Sequence, residues 1–243
     1  MQDWQGKRYW LIGASEGLGA ALAETLSRVG AEVILTARSA ERLDAVAAGL
    51  PGRASTVVAD VTDQASLEAA AAEVGEVDGV VWLAGAYWPF GAKDWNTEQA
   101  VQMAEVNFVG AMRMVGVVLP PMLARDRGHL VLTGSLSGYG GLPGAAPYVS
   151  TKAGIMALAE SLYADLRRTG VKVQLVNPGY VRTRLTAKND FKMPAMMEPE
   201  EAARKIFEHM CTDTFSHSFP FGFSLLFRIG RLLPQGLYFK LFS

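Results

Sequence analysis

The sequence predicts an α/β fold: one doubly wound, parallel sheet with helices on both faces. Two observations carry this. Short, near-continuous apolar runs recur along the 243 residues, and stretches of helical periodicity separate them. Strands that are apolar on both faces belong to a sheet covered on both sides, and alternation with helices makes that sheet parallel. Half of the residues are hydrophobic and 19% are charged, which is enough apolar material for a large core. No internal repeat or low-complexity linker divides the chain, so residues 1–243 read as a single domain.

The elements follow in order. Arg8 to Ile12 is a short apolar run ending at Gly13. Leu18, Leu22, Leu26 and Val29 then mark one face of a helix that Gly30 closes. Glu32–Ala37 is the second strand, Ala40–Leu50 a helix and Ala54–Ala59 the third strand. Asp63 is placed to cap a helix running to Val74. Val77–Ala84 is the fourth strand. Gln99–Arg125 is a long helix, expected to break near Pro120-Pro121. Leu130–Thr133 and Val171–Val176 are the fifth and sixth strands, and Pro147–Arg168, with proline in its first turn, is the helix between them. Pro199–Met210 is the last regular helix expected.

Composition excludes several functions. A net charge of −1, with acids and bases interspersed, offers no phosphate-neutralising excess, so nucleic acid is not an expected partner. Cys211 is the only cysteine, and His129, His209 and His217 are scattered without ligand spacing, so no metal site is expected. The polar opening from Met1 to Lys7 carries no secretory signal, which points to the cytoplasm.

In doubly wound folds, ligands bind beyond the carboxyl ends of the strands. Gly13-Ala14-Ser15-Glu16-Gly17-Leu18-Gly19 sits there, between the first strand and the first helix. Glycines permit a tight turn and close approach of a pyrophosphate, and the helix start offers free N–H groups and a positive dipole end. The second strand ends Thr36-Ala37-Arg38-Ser39, without the acid that would hold a ribose 2′-hydroxyl. The Arg38 guanidinium favours a 2′-phosphate instead, which makes NADP(H) the expected cofactor over NAD; Glu16 weighs mildly the other way. A rival reading takes Gly13-Ala14-Ser15-Glu16-Gly17 as the G-x-S-x-G elbow of a serine hydrolase, with His209 or His217 as partner; it leaves Gly19 unexplained.

Tyr148-Val149-Ser150-Thr151-Lys152 places a phenol and an ammonium at i and i+4 on one helix face, with Ser135 upstream, just past strand five. With the glycine loop, this arrangement resembles the short-chain dehydrogenase/reductase family from about Lys7 to His217. The resemblance implies a Rossmann-type sheet and a catalytic tetrad of Asn107, Ser135, Tyr148 and Lys152. It implies that Asp60, with Val61, holds the adenine ring and that Asn177 to Thr183 hold the nicotinamide, with Thr183 as hydroxyl donor. Cofactor contacts are thus expected at Gly13, Ser15, Glu16, Gly17, Leu18, Gly19, Arg38, Asp60, Val61, Ala84, Gly85, Tyr148, Lys152, Pro178, Gly179, Val181 and Thr183. One departure is clear. The family commonly has N-N-A-G after strand four, where this chain has Trp82-Leu83-Ala84-Gly85.

The chemistry is coherent on its own terms. A phenol of ordinary pKa near 10 is a poor acid-base at neutral pH, and a nearby ammonium stabilises its phenolate. Ser135 can donate to an oxygen where negative charge develops. By resemblance, Asn107 holds a water that refills the proton through Lys152. The expected activity is hydride transfer between NADP(H) and a carbonyl or alcohol; a non-catalytic NADP(H)-sensing protein is the alternative. Tyr87, Trp88, Pro89 and Phe90, with Leu185, Phe191, Met193, Met196 and Met197, suggest an apolar pocket under a lid at 184–200. The segment 215–243 is rich in Phe and Leu and carries only basic charges, Arg228, Arg231 and Lys240. Three readings stay open for it: packing on the core or a partner subunit, a roof over the substrate, or contact with a membrane surface. The resemblance also implies a homodimer or homotetramer.

Overall fold

The computed structural model describes residues 3–242. Seven strands form one parallel sheet: β1 (Arg8–Ile12), β2 (Glu32–Ala37), β3 (Ala54–Val58), β4 (Gly79–Trp82), β5 (Gly128–Thr133), β6 (Val171–Pro178) and β7 (Ser216–Phe219). Their order is β3-β2-β1-β4-β5-β6-β7, so the chain reverses direction of winding between β1 and β4. This is a Rossmann-type α/β fold.

Strand period divides the core in two. Within β1, Trp10 and Ile12 face one side, where they join Trp82, Leu130 and Leu132. Tyr9 and Leu11 face the other and join Leu22, Leu26 and Ile206. The first layer is covered by α3 (Gln64–Val74), α5 (Gly110–Ala124) and α6 (Ala146–Leu166). The second is covered by α1 (Gly17–Arg28), α2 (Ala40–Ala48) and α7 (Pro199–Met210). Alternate residues pointing to opposite faces of a doubly covered sheet explain why whole strands read as apolar.

The expected punctuation operates. After α1, Gly30 takes φ +88°, Ala31 N donates to Leu26 O at 3.1 Å and Gly30 N donates to Ser27 O at 3.1 Å. That is a glycine-closed helix end with both orphan carbonyls satisfied. The Asp63 carboxylate accepts from Ala65 N and caps α3.

The structure departs from the sequence reading in two places. The helix does not break at Pro120-Pro121, which lie inside the last turns of α5. Proline removes a donor to the carbonyl four residues earlier. Here Gly116 and both prolines are exposed and Val117 is half-buried, so water can take up the two orphaned acceptors. The real irregularity is earlier: α4 (Thr97–Met103) runs into a π-helical turn, Ala104–Val109, before α5 begins. Second, the tail is not wholly an appendage. Ser216–Phe219 pairs in parallel with Leu175–Pro178 as β7. The polar run Ser216-His217-Ser218 hid this edge strand. Beyond it lie α8 (Phe221–Gly230) and α9 (Gln235–Phe242).

Candidate active site

The cavity of interest, about 770 Å³, lies at the carboxyl ends of the central strands. Gly13, at the end of β1, has φ +97°, and a Cβ there would stand 2.4 Å from Ala84 N. A Cβ on Gly19 would stand 2.2 Å from Gly13 O. These two glycines let the loop, the first turn of α1 and the strand β4 exit touch backbone to backbone. Glu16, the residue before α1, makes no side-chain capping bond, and no acid occupies the helix's first turn. The amino end of α1 therefore keeps its donors and its positive dipole end for a bound anion.

Ser15, Glu16, Gly17, Leu18, Arg38, Asp60, Val61, Ala84, Gly85, Pro178, Gly179, Val181 and Thr183 all line this cavity. Three cations outside the expected cofactor contacts join them: Arg42, Arg184 and Lys188. Arg42, on α2, and Arg184 both reach the Glu16 carboxylate, at 3.6 and 2.8 Å. Glu16 is thus charge-paired, which removes much of its objection to a neighbouring phosphate. Asp60 uses one carboxylate oxygen to hold Thr62 N and Thr62 Oγ1, at 2.9 and 2.8 Å, and so shapes the loop after β3.

Ser135, Tyr148 and Lys152 converge on the same cavity wall. Ser135 caps the short 3-10 turn Leu136–Tyr139, and its Oγ accepts from both Ser137 N (3.2 Å) and Ser137 Oγ (2.9 Å). With its acceptor side used, its hydroxyl is left to donate, and the Tyr148 oxygen is an acceptor for it. Burial pushes the Tyr148 phenol up to about 12, and its hydrogen bond with Ser135 pulls in the opposite direction. Burial brings Lys152 down to about 8. Its Nζ donates to Thr133 O at 3.0 Å and sits 5.7 Å from the centre of the Tyr148 ring. Tyr87 meets the same ring edge-on at 4.9 Å.

Asn107 lies in the π-helical turn and, among the described residues, makes no side-chain hydrogen bond to Tyr148. Its Oδ1 accepts from Ala86 N at 2.6 Å; its Nδ2 donates to Ala86 O and to Thr151 Oγ1, both at 3.0 Å. Thr151 in turn donates to Tyr148 O at 2.8 Å. Both protons of the amide are thus taken, while Oδ1 keeps a second lone pair. Thr151 was within the quoted motif, yet its part in this chain of contacts shows only in three dimensions.

A second cavity, about 560 Å³, opens beside the first, and Ser135 and Tyr148 line both. Its walls include Phe90, Leu142, Tyr180 and Phe191, and its roof is Phe223 and Phe227 of α8 with Phe242 of α9. Asp190 is the one charged side chain among its lining residues. The inner face of the tail thus packs on the chain's own core beside this cavity.

The hydrolase reading fails on this geometry. No histidine lines the cavity that holds Ser15. His209 stacks on His217 at 5.6 Å and bonds to Phe215 O and Thr214 Oγ1.

Residues 7–193 match the sequence model of the short chain dehydrogenase family. The chain belongs to that family and is an oxidoreductase. Among its relatives, an oxidoreductase of Myxococcus xanthus is 37% identical over 236 residues, covering 94% of this chain and 93% of its own length. Gluconate 5-dehydrogenase of Gluconobacter oxydans is 35% identical over 195 residues, covering 75% and 74%. Among solved structures, actinorhodin polyketide ketoreductase with NADPH superposes with a TM-score of 0.80 at 25% identity, covering 90% of this chain and 97% of that one.

Proposed function

We propose that this enzyme is an NADP(H)-dependent carbonyl reductase or alcohol dehydrogenase for apolar substrates, with Tyr148 as general acid and base. One observation carries the reading: Ser135 and Tyr148 stand on the wall shared by the glycine-lined cavity and the apolar one. A substrate carbonyl placed there meets both hydroxyls.

The glycine cradle and open helix end fit a pyrophosphate, with Ser15, Gly17, Leu18 and Gly19 around it. Asp60 and Val61 would border the adenine, and Ala84, Gly85, Pro178, Gly179, Val181 and Thr183 the nicotinamide half. When bound, the cofactor supplies or accepts the hydride. The chain's own residues do the rest. Ser135 donates to the carbonyl oxygen as negative charge grows on it. Tyr148 delivers its proton to that oxygen, and the Lys152 ammonium steadies the phenolate left behind. Asn107 and Thr151 act as positioning residues that hold the Tyr148 turn against Ala86.

The apolar cavity supports the substrate class. A sugar acid would bring a carboxylate and many hydroxyls to a pocket whose single charge is the Asp190 carboxylate, and burying unanswered polar groups is costly. The segment 184–200 serves as the lid: the Tyr87 hydroxyl donates to Asn189 Oδ1, and Lys188 Nζ donates to Tyr87 O.

Cofactor choice is the direct test. NADPH is expected to bind at least about tenfold tighter than NADH, about 1.4 kcal/mol, through Arg38 with Arg42 beside it. Arg38→Ala should remove most of that margin with little effect on NADH. Equal binding of both cofactors by the wild type, measured by fluorescence titration, would overturn the assignment.

We also assign the homodimer contact to the outer side of α4, α5 and α6, where Val101, Met112, Leu123 and Tyr163 are exposed. Light scattering is expected to give at least twice the chain mass, and Met112→Glu to lower it. A monomeric wild type would overturn this.

A further inference from the structure

The helices that roof the apolar cavity have a second face. Their inner side is anchored: Ser224, Phe227 and Tyr238 are buried, and the Tyr238 hydroxyl donates to Gly141 O at 3.0 Å. Phe242 packs on Tyr238 at 4.5 Å and on Phe227 at 5.6 Å. Their outer side is apolar and open. Seven of the fifteen exposed large hydrophobic side chains among the described residues lie between 221 and 241, in a segment under a tenth of the chain. On α8, Leu226 and Ile229 stand at i and i+3, a spacing continued by Leu232, which is 82% exposed, and Phe221 is exposed at the start of the helix. Leu237 and Leu241 repeat the pattern on α9 at i and i+4.

Charge selects among the surfaces that could cover this stripe. Arg228, Arg231 and Lys240 are the only charged side chains after Asp213. A second copy of the chain meeting this patch face to face brings like charges together, with no acid from the segment to answer them. An anionic lipid surface answers all three. The helices have ten and eight residues, or about 15 and 12 Å, and cannot cross a bilayer core of about 30 Å. They can lie in its plane with the apolar stripe among the acyl chains and the bases at the headgroups.

We infer that the outer face of α8–α9 docks the enzyme on an anionic membrane surface, so that the roof of the substrate cavity is also the lipid-contacting element. The docking itself does not depend on the redox reading above. Only its use, to take apolar substrate from the lipid, does.

Co-sedimentation of the full-length protein with phosphatidylcholine vesicles, with and without phosphatidylserine, tests it. The protein should partition onto the phosphatidylserine vesicles, and less so as salt is raised. Ile229→Asp and Leu232→Asp should each cut that partitioning about tenfold, and Arg228→Glu at least about fivefold. All three sites are solvent-exposed, and circular dichroism melts should match the wild type. A wild type that stays in the supernatant overturns the proposal, as does equal binding to both vesicle types. So does a fall in mass by light scattering for Leu232→Asp, which assigns the patch to a second copy.

Discussion

Tyr148→Phe is expected to lower kcat for carbonyl reduction by about three orders of magnitude while leaving NADPH affinity within about twofold of wild type. Positioned general acids contribute roughly 10²–10⁴ in rate. The substitution removes only the hydroxyl; the ring keeps its edge contact with Tyr87. Burial moves the phenol further from neutrality, so proton delivery depends on the positive charge that Lys152 brings beside it. What limits the wild type at high pH is then Lys152. Once the ammonium titrates, near pH 8, nothing compensates the phenolate formed by proton delivery, so reduction should slow above that pH. Stopped-flow NADPH oxidation against pH checks both statements. Near-normal turnover in Tyr148→Phe would remove the role assigned to Tyr148.

Lys152→Met is expected to be nearly as damaging to turnover, by about 10²–10³-fold, and yet to stabilise the protein without cofactor. A lysine whose pKa falls from 10.5 to about 8 binds its proton more weakly when folded than when unfolded. The native state therefore carries a cost on the order of 3 kcal/mol below pH 8. That cost shrinks as pH rises from 8 to 10.5, where the folded lysine has given up its proton and the unfolded one still holds it. Methionine of similar length avoids burying the charge, at the expense of one hydrogen bond to Thr133 O. A net gain of about 1 kcal/mol raises the Tm of a chain this size by about 2–4 °C. Thermal melts of both proteins at pH 7 decide it; a clear drop in Tm would mean the ammonium is better satisfied in the fold than its surroundings suggest.

Local chemistry was legible in the sequence, and distant pairings were not. Gly13 to Gly19 stand out because a backbone that touches Ala84 tolerates no Cβ, and glycine spacing records that constraint directly. The doubly wound sheet was readable because buried strands are apolar throughout. β7 was not, since an edge strand reading Ser216-His217-Ser218-Phe219 is specified by its neighbour β6 and not by its own pattern. The contact of Arg184 with Glu16, 168 residues apart, leaves no local trace. Nor could the sequence choose among three uses of the tail, because one amphipathic helix pair has both a packed face and an open one.

The π-helical turn carrying Asn107 has an evolutionary corollary. Such a turn is an α-helix with one residue inserted, closed by i→i+5 in place of i→i+4 bonds. Loss of one residue would let the turn revert to ordinary helix. It would also move the downstream side chains back by about 100° of rotation, swinging Met114 and Met122 off the sheet. The insertion that brings an amide to Ala86 is therefore locked in by the packing that follows it. A descendant that no longer needed Asn107 could change the side chain far more readily than it could delete the bulge.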